Sequence, residues 1–324
     1  MLNLFLSGKS NAFFILPMIL LVFVLKSIIH PEIIIDSPSF LYSKIDVLLI
    51  EFKYIKLFLG FVFIISIAFY IKTVFNAHDY YQSENSLPAL LFVILVGAWS
   101  GFHFFSPLYI SLLFILFGLN QLLFVYHQKN IIPQVFNAGF FLGIAAIIYY
   151  PAVLFIISFW MFISMNRAFN FREYLFPVIG LLLPFFFLAV YFFYVDLPYD
   201  FLHFSKAGEV SSLINVASIT QRIFLVLSGI AVVVALPFFI KQISRAKVKA
   251  KNSRRMVLLL LLNSIFIYYL SFIFFPIHNR ELLLVIPMVF MIPFYFYNVS
   301  SLFRNILFYF WIVAALLFDF FPIL

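Results

Sequence analysis

The chain has no cysteine in its 324 residues, which removes disulfides, Cys-ligated zinc and thiol nucleophiles together and leaves the redox compartment unread. Charge is nearly as scarce. Asp, Glu, Lys and Arg make up 10% of the sequence, against about 25% in ordinary soluble domains, so folding in water is excluded. The six histidines, His30, His78, His103, His127, His203 and His278, never recur at the i, i+4 spacing that sets two ligands on one helical face. A histidine-ligated metal oxygenase acting on a hydrophobic substrate needs several imidazoles at one depth, and this pattern argues against it. No Gly-x-x-x-x-Gly-Lys phosphate loop occurs, and the charged breaks are too short for a nucleotide domain, so an ATP-driven pump acting alone is excluded. Neither a repeat nor a low-complexity linker divides the chain, which reads as one transmembrane domain over 1–324.

What is present is hydrocarbon: 66% of the residues are hydrophobic and 50 are Phe. A crossing helix needs about 20 mainly apolar residues, with about 17 tolerated. That criterion predicts an all-α integral membrane protein with about eleven transmembrane helices, near 11–29, 57–75, 88–103, 107–126, 131–148, 150–166, 174–194, 222–240, 256–275, 281–297 and 304–321. The third sits at the lower length limit, and with the fourth it also fits a re-entrant hairpin. The first, preceded by Lys9, lacks a small-residue cleavage pattern and reads as an uncleaved span.

The net charge of +8 is distributed unevenly, and its pattern fits membrane topology rather than a nucleic-acid groove, because Lys and Arg cluster at the ends of apolar runs. Lys241, Arg245, Lys247, Lys249, Lys251, Arg254 and Arg255 fall within one basic loop with no intervening acid. Placing that loop in the cytoplasm puts thirteen of the 20 Lys and Arg inside, so the N-terminus is expected inside and the C-terminus in the periplasm. The loop then reads either as a topology anchor or as a dock for anionic lipid or an acidic partner. The long stretches 30–56 and 195–221 both fall outside. Within the first, Leu41, Ile45, Leu48, Leu49 and Phe52 recur at helical spacing, which predicts a helix lying in the membrane interface.

Two segments carry more than topology. Ala138, Gly139, Gly143, Ala145 and Ala146 gather small residues ahead of Pro151, and glycines four apart let helices approach closely. Much later, His278-Asn279-Arg280-Glu281 opens the Pro-containing apolar run Leu282-Leu283-Leu284-Val285-Ile286-Pro287. Together they resemble C-type-fold glycosyltransferases, which move sugars from polyprenyl-phosphate donors at the outer face of the membrane. The whole chain also resembles a polytopic inner-membrane family of Bacteroidota, a likeness that implies a bacterial inner membrane and no particular activity.

The glycosyltransferase resemblance implies a catalytic acid just beyond the first span, where Glu32 and Asp36 stand, and cations for the donor phosphate, of which Arg280 is the first choice and Arg222 and Lys206 the second. A carboxylate there could accept the acceptor's proton while an arginine holds the phosphate. The segment His30-Pro31-Glu32-Ile33-Ile34-Ile35-Asp36 departs from the family pattern by lacking its paired acids. Glu32 and Asp36 therefore also read as interfacial acids that keep a loop in water, and Arg280 with Glu281 as an anchor at a helix end. The expected partners are membrane lipids, a polyprenyl-phosphate-linked sugar and other membrane proteins, with no nucleic acid; no cofactor is expected, and the need for a divalent metal stays open. The alternative function is a non-catalytic subunit of an envelope complex for secretion, lipoprotein handling or motility. A transporter comes third, because Pro-broken spans such as Leu181-Leu182-Leu183-Pro184 can line cavities but few ionisable residues fall at mid-depth.

Overall fold

The computed structural model describes residues 5, 12–29, 52–81, 84–98, 103–126, 128, 130–167, 169–195, 219–274 and 281–320, and among these every regular element is helical. The helices are α1 (Ala12–Ile29), α2 (Lys53–Ala77), α3 (Leu87–Gly97), α4 (Pro107–Leu123), α5 (Ile132–Ile148), α6 (Phe155–Asn166, entered through a 3-10 turn, Tyr150–Leu154), α7 (Phe171–Tyr194), α8 (Ile219–Arg245), α9 (Val248–Phe274), α10 (Leu282–Met291), α11 (Pro293–Asn298) and α12 (Ser301–Phe320). Taking the 3-10 turn with α6 and α10 with α11, they form eleven rods that correspond one to one with the eleven apolar runs. Four stretches, 53–77, 171–194, 226–245 and 248–270, are long and apolar enough to cross a membrane, which fits a membrane protein. The interfacial helix expected before Lys53 lies outside the described residues.

Two expectations need correction. The basic stretch is not a loop: α8 continues through Arg245, and α9 starts at Val248, leaving only an elbow at Ala246 and Lys247. Lys, Arg, Ala and Gln are good helix formers, and their long side chains reach water from a helix end, so charge marks the end of the apolar run without ending the helix. The third run is likewise shorter as a helix than its hydropathy implies, because α3 stops at Gly97.

All eleven residues of α3 are buried, from Leu87 to Gly97, and it packs against α1, α2, α10 and α12. A helix apolar on every face belongs inside protein or lipid. At about 1.5 Å per residue α3 covers only about 16 Å. Asn76 Oδ1 accepts from the amide of Asn85, and the Asn76 side chain donates to the Asn85 carbonyl. Phe5 O accepts from Ser86 N at 2.8 Å. These bonds satisfy the non-helical backbone ahead of α3 within the protein, as burial away from water requires.

The tightest helix pair is α5 with α7, which run in the same direction. A Cβ placed on Gly139 would lie 2.0 Å from the Pro177 carbonyl oxygen, one on Gly143 2.4 Å from that of Leu181, and one on Gly180 2.3 Å from that of Phe136. The small-residue spacing read from the sequence therefore brings two backbones into contact. In hydrocarbon the driving force is this packing, because lipid tails are as apolar as the side chains they would replace.

Candidate functional site

Two polar assemblies stand at the two ends of the bundle, and each starts with a helix terminus that must satisfy its backbone. At one end, α2 closes in a left-handed turn at Asp79, with φ of 53°. Asp79 N donates to Asn76 O, Tyr80 N donates to Phe75 O, and the Phe75 and Tyr80 rings stack with centroids 5.2 Å apart. This is the Schellman ending, in which two amides reach back over the last turn and an apolar pair closes it.

Onto that turn folds the start of α9. Arg254 is buried, and its Nε and Nη2 donate to Tyr80 O at 3.2 and 2.7 Å, while Nη1 donates to Gln242 O on α8. Its guanidinium lies 5.1 Å from the Phe294 ring centroid on α11, and Tyr80 Oη donates to Ser253 O at 3.1 Å. Lys249 pairs with Asp79 at 2.8 Å. Asn252 donates to Asn166 on α6, and Gln242 donates to Asn298 on α11 at 3.1 Å. One planar cation on α9 thus ties the α2 turn and α8 through backbone carbonyls and α11 through an aromatic face, the task a rigid fork of donors suits.

His78 completes this end. Its Nε2 lies 2.7 Å from Asn120 Oδ1, and its ring meets Phe124 edge-on. Because an amide oxygen only accepts, the imidazole carries its proton on Nε2. Burial holds the His78 pKa below its ordinary value; the Asn120 bond raises it, Lys249 lowers it further and Asp79 raises it. Burial also pushes the Tyr80 phenol well above its usual range, against the pull of Arg254.

At the opposite end, Ser27 of α1 meets His103 in the segment before α4, with Oγ 2.6 Å from Nδ1, and His103 Nε2 donates to Gly97 O at 2.8 Å. The carbonyl fixes the tautomer, so Ser27 is the donor to Nδ1. Both side chains are buried. A serine facing an oriented imidazole is the pairing nucleophiles use, but here it closes the C-terminus of α3 inside packed protein. Phe105 N donates to Lys56 O nearby, and a Cβ on Gly60 would lie 2.3 Å from His103 O, which seats this segment on α2.

Between the two ends a further polar contact joins the helices. Asn263 at the middle of α9 donates to Ser158 Oγ at 2.7 Å and to Leu154 O at 3.0 Å, joining α9 to α6 and its entry turn. A gap beside Phe155, Leu260, Ser264 and Pro287 has no space for a water molecule. Among the described residues no three His, Asp or Glu side chains converge on a point.

Of the residues expected to carry chemistry, Asp36, Glu32, Lys206 and Arg280 lie outside the described residues. Arg222 falls in the first turn of α8, with its side chain outside them. The structure instead assembles Arg254, Tyr80 and Gln242 at one end, and Ser27 and His103 at the other; the sequence placed Arg254 only among the cations of the basic stretch and His103 only among the six histidines, and marked none of the five for a buried polar contact. One signal for Arg254 was available. Ala250, Val257 and Leu261 are buried on α9, and Arg254 falls on the same stripe three and four residues from its neighbours, whereas Lys251 and Arg255 fall beside it. No family model, no curated protein and no solved structure matches this chain.

Proposed function

We propose that the chain is a multi-pass protein of a bacterial inner membrane that serves as a non-catalytic subunit of an envelope assembly, holding partner proteins rather than transforming a substrate. The observation that carries this reading is where the polar atoms go. Arg254, Tyr80, Asn252, Asn263 and His103 each bond a helix or turn other than their own, and none borders the gap beside Phe155 and Pro287. Such an arrangement fixes a shape. In this reading the N-terminus and the α8–α9 elbow face the cytoplasm, and the C-terminus faces the periplasm. Two facts support that grouping of segments by side, while the choice of cytoplasmic side rests on the charge bias: segments assigned inside meet one another, Asp79 with Lys249 and Asn166 with Asn252, while Lys56 and Phe105, assigned outside, meet at the other end. Extraction in a mild detergent should bring other membrane proteins along in fixed ratio; recovery of a stable monomer with no companion would sink the subunit reading.

A second reading, transfer of a sugar from a polyprenyl-phosphate donor at the periplasmic face, is favoured by one specific feature. The starts of α8 and α10 lie at the end opposite Arg254, with Arg222 in the first turn of one and Arg280 just ahead of the other. Helix N-termini and arginines both attract phosphate. Here Asp36 or Glu32 would be the base, with Lys206 as a further phosphate contact. Asp36→Asn and Glu32→Gln should then abolish glycan transfer at unchanged abundance in the membrane, and full activity in the double variant would end this reading.

A further inference from the structure

Of the seven cations around the α8–α9 elbow, Lys251 and Arg255 are half-buried on α9 and the other five divide into two groups. Arg254 is spent inside the protein and Lys249 is paired with Asp79. Lys241, Arg245 and Lys247 stay exposed, and none of them has an acid in ion-pair range among the described residues. The exposed face of α8 leads directly to them. Val226, Ile230, Val233 and Ile240 are 59%, 56%, 69% and 49% exposed, and with Pro237 they recur every three or four residues, a spacing that keeps them on one side of the helix. Lys241 and then Arg245 follow Pro237 in steps of four residues, along the edge of that stripe. From Ile230 to Ile240 the stripe is about 15 Å long at about 1.5 Å per residue, close to the depth of one leaflet's hydrocarbon, about half of about 30 Å.

We infer that this stripe and elbow form a binding site for an anionic phospholipid of the surrounding bilayer, an inference that rests on the membrane reading above. The acyl chain lies along Ile230, Val233 and Ile240, and the headgroup phosphate is held by Lys241 and Arg245, with Lys247 at the turn. Charge complementarity selects this occupant. A zwitterionic headgroup offers no net charge to three unpaired cations, and an acidic protein would leave the adjoining apolar stripe unused. Arginine and lysine at consecutive turns bring a forked donor and a point charge to the same phosphate. Cations at this end of α8 also oppose the negative end of the helix dipole, which helps keep the last turn helical while the lipid is held.

The test uses the full-length protein in nanodiscs of phosphatidylcholine doped with phosphatidylglycerol, with bound lipid counted by native mass spectrometry after release. Phosphatidylglycerol should be retained in preference to phosphatidylcholine. Each cation is expected to contribute about fivefold to that preference, so the Lys241→Gln/Arg245→Gln/Lys247→Gln variant should lose about a hundredfold. Arg172→Gln, an exposed cation on α7, should leave the preference intact. Equal retention of the two lipids by the native protein would overturn the inference, as would an undiminished preference in the triple variant, or displacement of the lipid by a co-purifying acidic protein. Failure of the membrane reading would look different, because the protein would then not enter nanodiscs at all.

Discussion

Replacing Arg254 with Met tests whether one buried cation holds four elements together. Met reproduces the apolar stem of arginine as far as Nε but lacks the guanidinium and cannot donate. The change leaves Tyr80 O without the two N–H groups at 2.7 and 3.2 Å and Gln242 O without its donor. A buried acceptor stripped of its partner costs about 1–3 kcal/mol, so the two carbonyls together cost about 2–6 kcal/mol. The lost contact with the Phe294 ring adds about 1 kcal/mol, and release from burying a charge returns part of the total. The net expectation is a loss of about 2–5 kcal/mol. Arg254→Lys should fall between, since one ammonium can reach only part of the carbonyl set. Two measurements check this: unfolding of the protein in a fixed detergent, and hydrogen exchange at the amides of Asp79 and Tyr80, which close the turn that Arg254 holds. Stability within about 0.5 kcal/mol of the native chain, with unchanged exchange at those amides, would refute the argument, because a surface cation behaves that way.

Three other perturbations address the rest of the structure. Gly139→Ala must move α5 and α7 apart, because its new Cβ would otherwise sit 2.0 Å from Pro177 O; the expected loss is about 1–3 kcal/mol. Gly229→Ala, where a Cβ meets nothing within 4 Å, should instead be neutral or stabilise by up to about 1 kcal/mol, as read by thermal unfolding of both variants side by side. His78 is held neutral by burial, with its pKa below the ordinary value of 6.5, so the unfolded chain takes up the proton first as pH falls. Stability should therefore be full above about pH 6.5 and decline as pH drops from there toward the folded-state pKa. His78→Gln should flatten that part of the pH–stability curve, and an unchanged slope would refute the assignment. His103→Phe should cost about 1–3 kcal/mol by stranding Gly97 O, and Ser27→Ala about 1 kcal/mol; equal and negligible effects in thermal unfolding would show that the α3 terminus is satisfied elsewhere.

The helical runs were legible because the sequence separates them physically: each is apolar enough to be driven out of water, and charges or prolines mark most of the gaps. The Gly139 and Gly143 contact was legible for a related reason, since it depends on residues four apart on one helix. What could not be read were pairings between distant segments. Arg254 meets Tyr80 across 174 positions and His103 meets Ser27 across 76, so no local spacing reports them. Hydropathy also misplaced two boundaries in opposite directions. It ended α8 too early, because it counts lysine against a helix that propensity favours, and it carried α3 too far, because apolar character continues past Gly97 where the backbone is tied to His103.

These errors share a cause that bears on how the molecule works. Hydropathy sums each residue's preference for lipid over water, so it treats every charged residue as surface, whereas a packed membrane protein offers a third environment made of its own backbone carbonyls. Arg254 occupies that environment and Lys241 does not, although the two stand only thirteen positions apart in one basic cluster. The phase of each residue relative to the buried stripe of its own helix separates them. Applied to α8 and α9, that criterion sends Arg254 inward to lock the bundle and turns Lys241 and Arg245 outward, away from the packed helices. It follows that neutralising the inward arginine should damage the fold, and neutralising the outward pair should leave the fold intact while changing which lipids remain bound. Equal damage from both would mean that the cluster acts as one undivided charge.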